Sequence, residues 1–174
     1  MSGILDARPR VGYFYTGKNT LGLLKEELSS VTVNDIKSVP IVVRDEKNAY
    51  DAVVTMFLED VGTLFVVEGD ENLLCGVVSR KDLLKAAMSP GTDLHQIPIA
   101  MVMTPLSKIV TATPDEPAAA AARRLVDHEI DCLPVVRELD HNPKRLQLVG
   151  RVTKTNFTRL LVDLAEGKGV NDHS

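Results

Sequence analysis

The chain has 174 residues and a mass of 19.0 kDa, the length of one ordinary domain or of two half-domains that need each other. It is 44% hydrophobic and 25% charged, and no apolar run approaches the length of a membrane span, which predicts a cytoplasmic protein with no membrane partner. Twenty Lys and Arg stand against 24 Asp and Glu, for a net charge of −4 and a pI near 5.6, the wrong sign for a chain that binds nucleic acid by itself. Cys75 and Cys132 lie in apolar runs without partners at metal-ligand spacing, so they read as buried reduced thiols.

The first periodic elements follow a polar connection. A short apolar run, Val39–Val43, predicts an entry strand, and Ala49, Ala52, Val53, Met56 and Phe57 fall at helical spacing between Asn48 and Asp60. Two β-type runs, Thr63–Val67 and Leu73–Val78, are separated by Glu68–Asn72 and read as a hairpin. A helix over Arg80–Met88 comes next, then a linker over residues 89–100 opened by Ser89-Pro90-Gly91. Met101–Pro105 leads into a second series: an entry run at Ile109-Val110, and an alanine-rich helix over Glu116–Glu129 with acidic residues expected in its first turn. A hairpin of Leu133–Val136 and Leu146–Val152 and a last helix over Lys154–Glu166 complete it.

The second series repeats the first. Ser38–Val67 falls on Ser107–Val136 without a gap, and after an insertion around Asp140–Lys144, Gly76-Val77-Val78-Ser79 falls on Gly150-Arg151-Val152-Thr153. Such a duplication decides the architecture. One β-α-β-β-α unit leaves an apolar sheet face open and is too small to bury it alone. The expected fold is therefore α/β (α+β), two β-α-β-β-α repeats packed as a pseudo-twofold pair.

No nucleophile-base-acid trio, P-loop, metal-ligand spacing or G-x-G-x-x-G after a strand occurs in the chain, so it is not expected to be an enzyme. The groups that recur are a Ser or Thr ending the last strand of each repeat with an acid or amide three positions on: Ser79 with Asp82, and Thr153 with Asn156. At a helix start they stand beside free backbone N–H groups. A carboxylate there can accept both hydroxyls of a ribose diol. The same residues also fit a plain N-cap and first-turn acid.

These motifs, V-x-x-L-x-V-V followed by G-V-V-S-R-K-D-L-L with the lead-in M-V-M-T-P, resemble the cystathionine-β-synthase (CBS) domain in tandem, a Bateman module, over about residues 33–163. The segment Leu5–Lys18, with Thr55–Val67 and Gly150–Asn156, is similar to the CcpN-type repressors of gluconeogenic genes, which carry a winged helix-turn-helix before the pair. That resemblance implies residues 1–19 as a remnant of the DNA-binding domain, 20–35 as a linker helix, 36–88 and 101–166 as the repeats, and 167–174 as a disordered tail. It implies an adenine nucleotide (ADP, ATP or AMP) as effector of a repressor's regulatory module and no other cofactor, a homodimer or higher assembly through the CBS faces, and DNA contact only through the N-terminal domain; the alternatives are a stand-alone CBS pair regulating a partner enzyme or channel, or a ligand-free dimerisation scaffold.

In this family adenosine lies between the repeats. By motif position, one site takes Ser79 and Asp82 with Val110, Ile130, Asp131 and Cys132, and the other Thr153 and Asn156 with Ile41, Val61, Gly62 and Thr63. Phosphates then point to Arg80, Lys81 and Lys154, residues that fit a solvated face equally well. Asn156 departs from the usual Asp: a charged acceptor contributes about 1.5–3 kcal/mol and a neutral one about 0.5–1.5 kcal/mol, so diol binding is expected to weaken there by about 1 kcal/mol.

Overall fold

The computed structural model describes residues 29–139 and 142–166; the expected wing remnant, most of the linker helix and the tail lie outside these. The first repeat opens with a one-turn helix α1 (Val33–Ile36) and runs β1 (Val42–Arg44), α2 (Ala49–Leu58), β2 (Thr63–Glu68), β3 (Leu73–Ser79) and α3 (Arg80–Ala87). The second opens with α4 (Ile99–Val102) and β4 (Thr104–Pro105) and runs α5 (Ala118–Asp127), β5 (Cys132–Leu139), β6 (Asn142–Thr153) and α6 (Lys154–Ala165). Both expected helix-hairpin-helix series are present. Among the described residues no helix is long and apolar enough to cross a membrane.

β1 pairs parallel with β2, and both hairpins are antiparallel, each with an irregularity at the equivalent place, Val66/Val67 and Val135/Val136. The third strands of the repeats meet at Leu73 and Gln147, giving the order β1-β2-β3-β6-β5. Phe65, Val67, Leu74, Val136 and Leu148 are buried together between the repeats. They are the apolar face that one repeat alone leaves open, and burying it on its copy supplies the drive for pairing.

Three local features differ from expectation, and prolines account for two of them. The entry strand of the second repeat shrinks to one parallel bridge, Ala112 to Val135. In the first repeat Phe65 N–H donates to Ile41 O (3.0 Å); Pro134 stands at the equivalent position and has no N–H to give Val110. The alanine-rich helix starts at Ala118 with no acid in its first turn, because a residue before proline is driven out of the helical region and Glu116 precedes Pro117. Glu116 pairs with Arg124 instead. Finally, β5 and β6 pair beyond the expected ends at Val136 and Leu146, as far as Leu139 and Asn142.

Each repeat is completed by the lead-in segment of the other. Val33 and Ile99 are both fully buried, Val33 in the core of the second repeat with Leu125 and Leu133, and Ile99 in that of the first with Met56 and Leu64. The backbone bonds are equivalent as well: Ala118 N–H donates to Val31 O (2.8 Å) and Ala49 N–H to Ile97 O (2.8 Å), so each arm satisfies the start of the opposite helix. The segments expected as connectors, 20–35 and 89–100, thus contribute core residues. Glycine allows both crossings. A Cβ on Gly76 would lie 2.7 Å from Thr104 O, and one on Gly150 2.8 Å from Lys37 Cδ.

Candidate functional site

The two strand-to-helix turns are built alike. Ser79 leaves β3 in extended conformation and caps α3; its Oγ accepts from Asp82 N–H (3.3 Å), while Asp82 Oδ2 accepts from Ser79 N–H (2.8 Å) and Oγ–H (2.5 Å). At α6, Asn156 N–H donates to Thr153 Oγ1 (3.3 Å), and Asn156 Oδ1 accepts from Thr153 N–H and Oγ1–H (2.8 Å each). Capping is therefore a role these residues do perform. Each turn is tied to the loop after the preceding long helix, Arg80 N–H to Gly62 O (2.9 Å) and Lys154 N–H to Asp131 O (3.2 Å). Those helices end in left-handed residues at equivalent places, Asp60 (φ 48°) and Glu129 (φ 54°).

Between the turns lies a cleft of about 920 Å³, within the usual range for small-molecule sites. The first repeat lines it with Val61, Gly62, Thr63, Ser79, Arg80 and Lys81, and the second with Asp131, Cys132, Thr153, Lys154 and Asn156. Four expected residues do not line it. Ile41 packs against the first core, Val110 and Ile130 against the second, and Asp82 is turned to its own helix cap. The amide motif of the second repeat faces the cleft; the carboxylate motif of the first contributes its serine alone.

Sequence reasoning missed Ser38, Asp60, Arg151, Thr155 and Arg159, which also line the cleft. Strand alternation carries a signal for Arg151, two positions before Thr153 and so on the same face. Helical spacing does so for Arg159, three after Asn156. With these, five cationic side chains (Arg80, Lys81, Arg151, Lys154, Arg159) face two carboxylates, Asp60 and Asp131. Arg80 Nη2 donates to Val61 O (3.3 Å) and Lys154 Nζ to Asp131 Oδ1 (2.6 Å). The excess positive charge suits an anionic ligand.

Cys132 stands at the cleft wall with its thiol pushed up to about 12, chiefly by burial, while the Arg151 charge opposes the shift and Asp131 adds to it. Burial, with a smaller contribution from Asp45, raises Cys75 too. Both cysteines are free and only part-buried. Both are therefore held in the protonated thiol form at neutral pH.

Residues 31–89 and 99–163 match the family model of the CBS domain. The chain belongs to the CBS domain family. The chain is 46% identical over 168 residues to the transcriptional repressor CcpN of Bacillus subtilis (strain 168), covering 97% of this chain and 77% of the relative. Among solved structures, it resembles CBSX2 in complex with AMP (25% identity, TM-score 0.65, 78% of this chain and 99% of that one). It also resembles the CBS domain pair of protein MJ0100 in complex with 5′-methylthioadenosine and S-adenosyl-L-methionine (25% identity, TM-score 0.62, 77% and 98%). The matched ranges start at Val31 and Ile99, so they include Val33 and Ile99, the buried residue of each exchanged arm.

Proposed function

We propose that this CBS pair is the adenine-nucleotide-sensing module of a cytoplasmic transcriptional repressor of gluconeogenic genes, with ADP, ATP or AMP bound in the cleft between the repeats. The observation that carries this is the convergence in one cleft of the Thr153–Asn156 turn, the Val61–Thr63 segment and an excess of cationic side chains. Thr153 and Asn156 stand where ribose hydroxyls would be held, and Val61 and Thr63 flank a base. Arg80, Lys81, Arg151 and Arg159 offer charge-assisted bonds to phosphates. The adenine-containing ligands of CBSX2 and MJ0100 support the class of ligand. The likeness to CcpN supports the repressor reading, with DNA held by a domain outside the CBS pair. No reaction is assigned to the site.

Assembly belongs to the same reading. Phe57 is 83% exposed on α2, and apolar grooves of about 450 and 370 Å³ lie between α2 and α3 and between α5 and α6. Two copies joined through these faces would pass a ligand-induced change from one cleft to both attached DNA-binding domains, which requires a coupling of about 1–3 kcal/mol.

Calorimetric titration with AMP, ADP and ATP, with GTP as control, tests the ligand. Saturable micromolar binding of an adenine nucleotide is expected; heats no larger than dilution for all of them would overturn the reading. Sedimentation velocity at micromolar concentration tests assembly, and a lone monomer peak would overturn that part.

A further inference from the structure

Among the described residues, Arg151 Nε is the buried side-chain nitrogen or oxygen that finds no hydrogen-bond partner. A sealed N–H without an acceptor is costly, and in this residue it belongs to a guanidinium lining the ligand cleft. Its charge reaches the cleft wall at Cys132. Unlike Arg80 and Lys154, whose side chains are held by Val61 O and Asp131, Arg151 has an unmet donor as well as a position in the cleft. An anion entering the cleft meets the positive charge of this guanidinium at the wall.

The backbone of Arg151 has a second engagement. Ser38 N–H donates to Arg151 O (2.8 Å) and Arg151 N–H to Ser38 O (2.9 Å), a closed two-bond pair that fastens the arm Val31–Val39 to the second repeat. Ser38 itself lines the cleft. The opposite arm does not: Thr104 and Pro105 pair with Val77 and Gly76 of β3 and are not among the residues that line the cavity. The arm at the cleft is the one continuous with residues 1–28, whereas the other only joins the two repeats.

We propose that Arg151 is the specificity-determining residue of the cleft, taking the ligand's phosphate charge on its guanidinium and passing the event through its backbone pair with Ser38 to the arm that leads to the N-terminal segment. This rests on the nucleotide reading of the cleft for its natural ligand, but not for its chemistry, which requires only a polyphosphate. A ligand held at once by Arg151 and beside Ser38 bridges both partners of the pair, so the arm cannot lift while the site is occupied.

The test combines binding with amide hydrogen exchange on the full chain and on Arg151→Gln. ADP is expected to slow exchange at Ser38 and Arg151 by about a hundredfold when free ligand stands at one hundred times Kd. In Arg151→Gln, ADP affinity is expected to fall about tenfold, the loss of one charge-assisted contact. Adenosine affinity should hold within about twofold, which also reports that the variant is folded, and the arm should lose its protection. Arg151→Lys keeps the charge without the fork, and its ADP affinity should fall between the two. Equal ADP affinity in all three proteins, or ADP binding that leaves Ser38 exchange unchanged, overturns the proposal while the nucleotide reading stands. If no adenine compound binds but inorganic tripolyphosphate slows Ser38 exchange in the wild type and not in Arg151→Gln, the nucleotide reading fails and the role of Arg151 holds. Silence with both kinds of probe overturns both.

Discussion

The two turns at the cleft, Ser79–Asp82 and Thr153–Asn156, share a capping geometry to within a few tenths of an ångström yet do not share a fate. The second brings its amide residue into the cavity beside Ser38, Arg151 and Arg159, while the first keeps Asp82 outside it. The difference comes from what surrounds each motif. One lead-in arm brings Ser38 to the cleft beside Arg151, whereas Thr104, paired with Val77 at the equivalent place in the other half, is not among the lining residues. A local motif specifies a helix start; tertiary neighbours decide whether that start becomes a site.

The comparison between halves can be broken in graded steps. Ile99→Ala and Val33→Ala each empty a fully buried arm position. The isoleucine change is expected to cost about 2–5 kcal/mol in urea unfolding, and the valine change less because fewer methylenes are removed. Equal and negligible losses would mean that the arms are not part of the cores. Gly76→Ala should cost about 1–3 kcal/mol by overpacking, because the new methyl meets the backbone oxygen of Thr104. Gly150→Ala should cost less, since the Lys37 side chain it meets can swing aside.

Cys132 gives a pH dependence. Its thiol ionises at about 12 in the fold against an ordinary 9.0, so below pH 9 both states keep the proton and stability is unaffected. Above that the unfolded chain loses the proton first. Stability should therefore fall by up to about 1.4 kcal/mol per pH unit from pH 9 towards 12, with a shallower slope in Cys132→Ala.

Asp82→Ala and Asn156→Ala should each cost about 1 kcal/mol of stability through the lost cap, measured by thermal unfolding. Only Asn156→Ala should weaken ADP, by about fivefold for one neutral hydrogen bond. The reverse pattern would move the site to the first repeat. Smallest is Asp131→Asn, which removes an exposed ion pair with Lys154: its stability should change by less than about 1 kcal/mol, while ADP binds more tightly because Lys154 is released.

Much of the fold is legible in the residues themselves. Ala49, Ala52 and Met56 announce α2 by spacing, and the apolar runs of Leu64–Val67 and Leu73–Val78 announce a hairpin, because helix periods and strand-type runs are local properties. The arms are not legible in this way. Val33 and Ile99 are each the one buried residue of a one-turn helix, and their partners lie in the other repeat, so no window of sequence holds both ends of the contact. The family resemblance marked Thr153, Asn156 and Val61–Thr63 for the cleft, yet Ile41, Val110 and Ile130 turn inward, since apolar side chains at the sheet gain more from the core than from a charged cavity. Pro134 and Pro117 were visible, and their effects on the entry strand and helix start follow from the missing N–H and the pre-proline restriction.

The exchange of arms also sets an order of events during synthesis. The first repeat emerges from a ribosome with a gap in its core that Ile99 and its neighbours fill, and so it must wait for residues made after its own last helix. The second repeat meets the opposite situation. Its missing piece, Val33, has been available since early in translation, an apolar side chain without a home until Leu125 and Leu133 arrive. Fragments cut between the repeats therefore inherit complementary defects, and mixing the two halves is a way to let each repair the other.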